Sequence, residues 1–169
     1  AQAGDSSAAK QLRIMTPLLK YQTARDNIGV ATTAMETRGG NGYIEDWVNS
    51  RLVRDAQIGV LWEGTSNINA LDIITRAVAR EEAHNDLADG MREKLQDVPG
   101  QVRPRYQALM DKAVSFAEQV SRQPDSEHLC RKASTALYHA TSATLMAWEG
   151  ATAEAAGKSS NRMQLAQLV

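Results

Sequence analysis

The residues with the most chemistry in this chain stand between Arg38 and Ala79. They are the turn Gly39-Gly40-Asn41-Gly42-Tyr43, the segment Arg54-Asp55-Ala56, and Trp62-Glu63-Gly64-Thr65-Ser66-Asn67 at the opening of a helical pattern. Glu63 is a carboxylate set just ahead of a helix start. There it can act as a proton-abstracting base, while the neighbouring backbone N–H groups meet an oxyanion or a phosphate. Val60, Leu61 and Trp62 are apolar neighbours that would desolvate it and raise its pKa, as a base working near neutral pH requires. Gly64 lets a ligand approach the backbone without a Cβ in the way, and Thr65, Ser66 and Asn67 add side-chain donors. The competing reading is a carboxylate that only complements the helix dipole, which is the commoner role of such a residue.

The glycine turn carries less on its own. Gly39, Gly40 and Gly42 serve either as a helix stop or as backbone that lies against a flat or phosphorylated ligand. They form no Walker or Rossmann fingerprint, because no Lys-Ser/Thr follows and no strand precedes. Arg54-Asp55 reads as a structural ion pair or cap. His84, His128 and His139 show no metal-binding spacing. His128 and Cys130, two apart, would point away from each other on a helix. Cys130 has no evident partner base and reads as an inert, buried thiol. We assign no metal ligand.

The elements that must position these groups are helical. Residues 6 to 37 form a long helix or two abutting ones, with Leu12, Met15 and Leu19 on one stripe and Ala24, Ile28, Ala31 and Met35 on the next. Pro17 in its middle points to a kink. Gly39-Gly40 ends it, and a loop follows. A short amphipathic helix is expected over 45–55 and a brief apolar segment over 57–62. From Thr65 or Ser66, Ile68, Leu71, Ile74 and Val78 mark one face of a helix running to about Lys94. Asp97 to Arg105, with two prolines and a glycine, reads as a linker. Beyond it, Tyr106, Leu109, Met110, Ala113, Phe116, Ala117 and Val120 form a helical stripe. After Gln123-Pro124-Asp125 comes a second one of Leu129, Ala133, Ala136, Ala140, Ala143 and Ala147, whose small side chains allow close helix approach. A final short helix follows Gly157. The expected fold is all-α, a helical bundle of about five main helices. The expected division is a bundle over 1–96, a linker over 97–105, and additional C-terminal helices over 106–169 packed on the bundle.

Composition bounds the rest. The 169 residues suffice for one well-buried domain, or one domain with an appendage. A net charge of −1 gives the whole chain no electrostatic case for nucleic acid or membrane binding. No apolar run approaches the length of a membrane span. The single cysteine excludes an internal disulfide and fits a reducing compartment, so a cytoplasmic protein without a signal peptide is expected. Ala1 to Ser7, small, polar and without an initiator Met, lead us to expect a piece of a longer chain.

Taken in order and spacing, Gly39-Gly40-Asn41-Gly42-Tyr43, Arg54-Asp55-Ala56 and Glu63-Gly64-Thr65-Ser66 resemble the C-terminal domain of the acyl-CoA dehydrogenases over residues 6 to 82. Leu12-Arg13-Ile14-Met15-Thr16-Pro17 with Lys20, and Trp62 to Asn67 with Ala70-Leu71-Asp72, resemble the branch that includes the alkylation-response (AidB-like) flavoproteins. The helices after residue 100 fit that longer branch. The resemblance implies a four-helix bundle with extra helices, FAD as cofactor and an acyl-CoA thioester as substrate. Glu63 would match the base that removes the α-proton, and its backbone N–H would polarise the thioester carbonyl. Thr65 and Asn67 would contact FAD, Gly39 and Gly40 would face the FAD of a neighbouring subunit, and Trp62 and Gly64 would line the thioester end of the cleft. A homo-oligomer (dimer or tetramer) and an electron acceptor such as electron-transfer flavoprotein are implied as partners. Glu36 stands where many relatives carry a glutamine, and Trp62 where tyrosine is commoner. The family's N-terminal helical and middle β domains are absent here, so this piece alone is expected to be inactive.

Two other function classes differ in what they require. An alkylation-response flavoprotein would bind DNA through a basic face on the C-terminal helices, but residues 100–169 hold eight Lys/Arg against six acids, a difference of only +2. A flavin-free interaction bundle would have no use for intact Glu63 and Gly64.

Overall fold

The structure, a computed structural model, describes residues 5–62 and 64–169. Helix α1 (Ser6–Thr37) starts where Asp5 accepts a hydrogen bond from the Ala8 N–H at 3.0 Å and runs unbroken through Pro17. Its buried face is Ile14, Leu18, Tyr21 and Gln22. Of the expected stripe, Met15 is half-buried, while Leu12 and Leu19 are about half exposed. Both triplets have helical spacing and lie on adjoining faces, so spacing alone could not choose between them. The partner helix chose: Tyr21 Oη lies 3.1 Å from Thr135 Oγ1, on the last long helix.

The chain then turns at Gly39, whose φ of +56° is left-handed. One short helical turn, α2 (Gly40–Tyr43), stands where a loop was expected. Gly42 sits so close to α1 that a Cβ there would lie 2.1 Å from the Met35 carbonyl oxygen. Helix α3 (Asn49–Ile58) begins four residues later than the pattern predicts and brings Gly59 next to Ala24, where the Gly59 carbonyl accepts a bond from Lys20 Nζ. Arg54 pairs with Glu45 at 2.7 Å and Arg51 with Asp55 at 3.5 Å, so the Arg54-Asp55 segment supplies two surface ion pairs.

The single helix expected from Ser66 to Lys94 is three pieces. Helix α4 (Ser66–Asp72) passes into a π-helical turn, Ile73–Val78, and the chain breaks before α5 (Ala83–Lys94) at Glu82, whose φ is +51°. The wider π turn buries two adjacent pairs, Ile73-Ile74 and Ala77-Val78, to 2% exposure or less. Ile68 faces outward at 58% exposure.

Helix α6 (Arg103–Arg122) buries Tyr106, Met110, Ala113, Ala117 and Val120, as its stripe predicts. Its end is fixed by Ser126, whose hydroxyl donates to the Val120 and Gln123 carbonyls at 2.6 and 2.7 Å. After a 3-10 turn, Glu127–Leu129, helix α7 (Cys130–Ala155) buries the alanine seam Ala133, Ala140, Ala143 and Ala147 completely. Helix α8 (Arg162–Leu165) folds back on it at Gly150.

One core cluster joins α1, α4, the π turn and α5 with α6 and α7, from Ile14 through Leu87 to Met110 and Leu137. A second holds Leu95, Val98 and Tyr106 against Ala143, Ala147, Ala151 and Ala166. Between the two halves of the chain, Arg103 bonds the Val98 and Gln96 carbonyls, and Trp148 Nε1 donates to Asp97 at 3.0 Å while Lys94 Nζ sits 4.0 Å over its ring. The described residues form an all-α bundle without strands, and no described helix is long and apolar enough to cross a membrane.

Candidate active site

Glu63, the residue singled out as a base, lies outside the described residues. The turn around it is fixed by backbone and one amide. Leu61 and Trp62 donate to the Ile58 carbonyl at 2.9 and 3.2 Å, closing off α3. Gly64 adopts φ +93°, a conformation an L side chain rarely takes. Thr65 is extended and starts α4, but its hydroxyl makes no capping bond. The clamp is instead Asn69, which donates through Nδ2 to the Gly64 and Thr65 carbonyls at 2.8 and 3.1 Å. Sequence reasoning passed over Asn69. The available signal was an amide one helical turn beyond an expected N-cap, within reach of the turn's carbonyls.

Thr65 and Asn67 are exposed, so hydroxyl and amide are both presented to whatever occupies this face. Trp62 is 63% exposed and Leu61 64%. Of Val60, Leu61 and Trp62, the three neighbours expected to desolvate position 63, only Val60 is half-buried. Beside the turn, Leu12, Arg13, Thr16, Lys20, Asn69 and Asp72 border a groove of about 530 Å³. Its arginine and aspartate are already matched to carboxylate and guanidinium, and Lys20 bonds the Gly59 carbonyl. Arg13 holds Asp72 with both terminal nitrogens and Glu81 with Nε, and the Asp72 hydrogen bond foremost lifts the guanidinium above its ordinary pKa.

Trp62, Gly64, Thr65 and Asn67 share one turn. Gly39 and Gly40 do not join them. They lie past the far end of α1, and Lys20 to Thr37 alone spans about 25 Å at the helical rise of 1.5 Å per residue. A Cβ at either glycine would meet nothing within 4 Å, so both present open backbone. Thr75 bonds back to the Leu71 carbonyl, and among the described residues Arg76 pairs with Asp72 at 3.6 Å.

Cys130 is 3% exposed, and burial foremost, with the nearby Glu127 carboxylate second, pushes its thiol pKa up. It is a buried neutral thiol. His128 does not diverge from it as a helical spacing of two predicts: His128 lies in the 3-10 turn, and both residues border one groove.

A helical bundle with this turn, carrying Glu63-Gly64-Thr65-Ser66 before α4, defines a class. Residues 1–79, just under half of the chain, match the family model described as acyl-CoA dehydrogenase, C-terminal domain. The chain is 40% identical over 76 residues to acyl-CoA dehydrogenase family member 11 of Caenorhabditis elegans, covering 44% of this chain and 12% of that protein. It is 32% identical over 123 residues to the putative acyl-CoA dehydrogenase AidB of Escherichia coli strain K12, covering 73% of this chain and 21% of that protein. The latter match is too long to end before α6. A solved structure titled Bd2924 apo-form superposes with a TM-score of 0.65 at 26% identity, over 89% of this chain and 27% of that one. The chain thus spans about a fifth or less of the two curated relatives.

Proposed function

We propose that this chain is the C-terminal helical part of an FAD-dependent acyl-CoA dehydrogenase that introduces an α,β double bond into an acyl-CoA thioester. The single observation that carries the reading is the family match over residues 1–79, which encloses the Glu63-Gly64-Thr65-Ser66 turn. The donor set suits a flavin dinucleotide. Thr65 and Asn67 offer neutral, exposed donors, and Gly39 and Gly40 offer backbone with no side chain in the way.

Glu63 takes the proton from the α-carbon, and its backbone N–H bonds the thioester carbonyl oxygen, where charge collects as the proton leaves. Bound FAD would supply the hydride acceptor for the β-carbon. Trp62 and Gly64 line the thioester end of the cleft, and Thr65 and Asn67 hold the cofactor. Gly39 and Gly40 face the FAD of a neighbouring subunit. Their distance along α1 from the Gly64 turn supports that division, and with it a homo-oligomer. Residues 1–96 act as the family bundle and 106–169 as an extension packed on it. Electron-transfer flavoprotein or another acceptor would be the redox partner of the loaded protein, and a cytoplasmic location fits the reduced cysteine.

The full-length Glu63→Gln protein should keep its FAD and lose bleaching by acyl-CoA, with the reductive rate down by ~100-fold or more. Bleaching at the wild-type rate would remove Glu63 from the base role. The second reading keeps the resemblance to the alkylation-response branch, a flavoprotein that binds DNA; the match to the putative acyl-CoA dehydrogenase AidB fits that branch by name. The charge difference of +2 over residues 100–169 gives that reading little phosphate-binding capacity.

A further inference from the structure

Helix α4 carries the Gly64 turn, yet apolar packing holds it weakly. Of its seven residues Ala70 alone is buried, Leu71 is half-buried, and Ile68 is 58% exposed. One buried methyl group gives little resistance to rotation about the helix axis. Neither end supplies the missing hold. Before α4 stand Gly64, with its left-handed φ, and Thr65, which makes no capping bond. After it comes the π turn, where the Ala79 and Glu81 N–H groups donate to carbonyls five residues back, Ile74 and Arg76, at 3.1 and 3.0 Å. A π turn contains one residue more than an α turn. A change of register by that residue would rotate α4 by about 100° and slide it by about 1.5 Å.

The hold is polar. Thr65, Asn69 and Asp72 follow at spacings of four and three, so they stand on one face of the helix. Asn69 ties that face to the Gly64 and Thr65 carbonyls, and Asp72 ties it to the Arg13 fork on α1. Arg13, Asn69 and Asp72 border the same groove. Through Nε the same guanidinium takes Glu81 at 3.1 Å, so one planar group grips the chain on both sides of the π turn. A lysine ammonium has the charge for this but not the plane.

We propose that Arg13 is a positioning residue for the reaction: its grip on Asp72 and Glu81 sets the rotation of α4, and with it the places of Gly64, Thr65 and Asn67 in the turn that Glu63 precedes. The inference rests on the reading of Glu63 as the α-proton base. Arg13 acts through Asp72.

The test uses the full-length protein. Arg13→Lys should retain its flavin but be reduced by saturating acyl-CoA ~10-fold or more slowly, because misplacement of a reacting group is costly even when binding survives. In the flavin-stripped protein, the amides of residues 65–72 should exchange ~5-fold or more faster, with those of 106–120 unchanged. Asp72→Asn should move both readouts the same way. Lys10→Gln is the control: it breaks the Lys10–Asp86 pair between α1 and α5 at 3.4 Å without touching α4, and should be reduced like wild type. A wild-type reduction rate or unchanged exchange over 65–72 in Arg13→Lys would overturn the positioning role and leave the family reading standing. An equal rate loss in Lys10→Gln would also overturn it, by showing a general effect of stability. A wild-type protein reduced by none of butyryl-, octanoyl- and palmitoyl-CoA would remove the family reading, and the positioning role with it.

Discussion

Arg13 and Asp72, 59 residues apart, meet in a two-pronged ion pair, Nη1 to Oδ2 at 2.9 Å and Nη2 to Oδ1 at 3.1 Å. The pair fastens the first third of α1 to the last residue of α4, just before the π turn, and Glu81 joins it at 3.1 Å from beyond that turn. Both partners are about two-thirds buried, so water screens the pair only partly. Arg13→Gln and Asp72→Asn should each cost about 1 kcal/mol, and a double-mutant cycle in urea should return coupling of similar size. Additive single effects would show that the pair only decorates the surface.

The two glycine positions at the end of α1 separate folding from ligand binding. Gly42→Ala forces a Cβ to within 2.1 Å of the Met35 carbonyl oxygen, and backbone cannot swing aside as a side chain can. It should destabilise the turn by about 2 kcal/mol or more, visible as a lowered melting temperature. Gly40→Ala meets nothing within 4 Å and should melt like wild type. Any loss of FAD retention in that variant would then report a ligand, not the fold.

A similar contrast holds on the other side of the molecule. A Cβ at Gly150 would fall 2.7 Å from the Met163 backbone nitrogen, so Gly150→Ala should lift α8 off α7 and raise hydrogen exchange over residues 162–166. At Gly90 the obstacle is the amide tip of Gln11 at 2.8 Å, which is free to rotate away. Gly90→Ala should be neutral or stabilising by up to about 1 kcal/mol, from the better helix propensity of alanine, in a thermal melt.

Cys130 gives the pH dependence. Its folded pKa is raised above the ordinary 9.0, mainly by burial. Between the unfolded and folded values the unfolded chain has lost its thiol proton and the native chain has kept it. Stability is therefore intact below about pH 9 and falls as pH rises beyond it. Cys130→Ser or Cys130→Ala should flatten that alkaline slope in denaturant titrations. At pH 7.5 a thiol reagent should label the native chain far more slowly than the unfolded one.

The sequence made the helices of the second half legible because α6 has one strong stripe, Tyr106 to Val120, and one partner face to meet it. In α1 two stripes compete, both at helical spacing, and the packing of Tyr21 on α7 goes with Ile14-Leu18-Tyr21 as the buried one. The break at Glu82 was illegible because Glu81-Glu82 is good helix sequence. It exists because the π turn displaces the register, and the chain restarts with Ala83 and His84 buried. At the site, the order of residues from Trp62 to Asn67 carried the family resemblance without any structure. The clamp by Asn69 and the collision guarded by Gly42 depend on which carbonyls come near, which spacing does not encode.

The three tryptophans divide by environment. Trp148 is tied between Asp97 and Lys94, whereas Trp47 and Trp62 are 47% and 63% exposed, one after the glycine turn and one beside Glu63. Water around those two indoles makes them the red-emitting part of the intrinsic fluorescence. A shift of that emission toward the blue on adding flavin, acyl-CoA or a second subunit would come from the two stretches of chain that carry the chemistry, so the protein holds its own optical probe at the place where its partners must arrive.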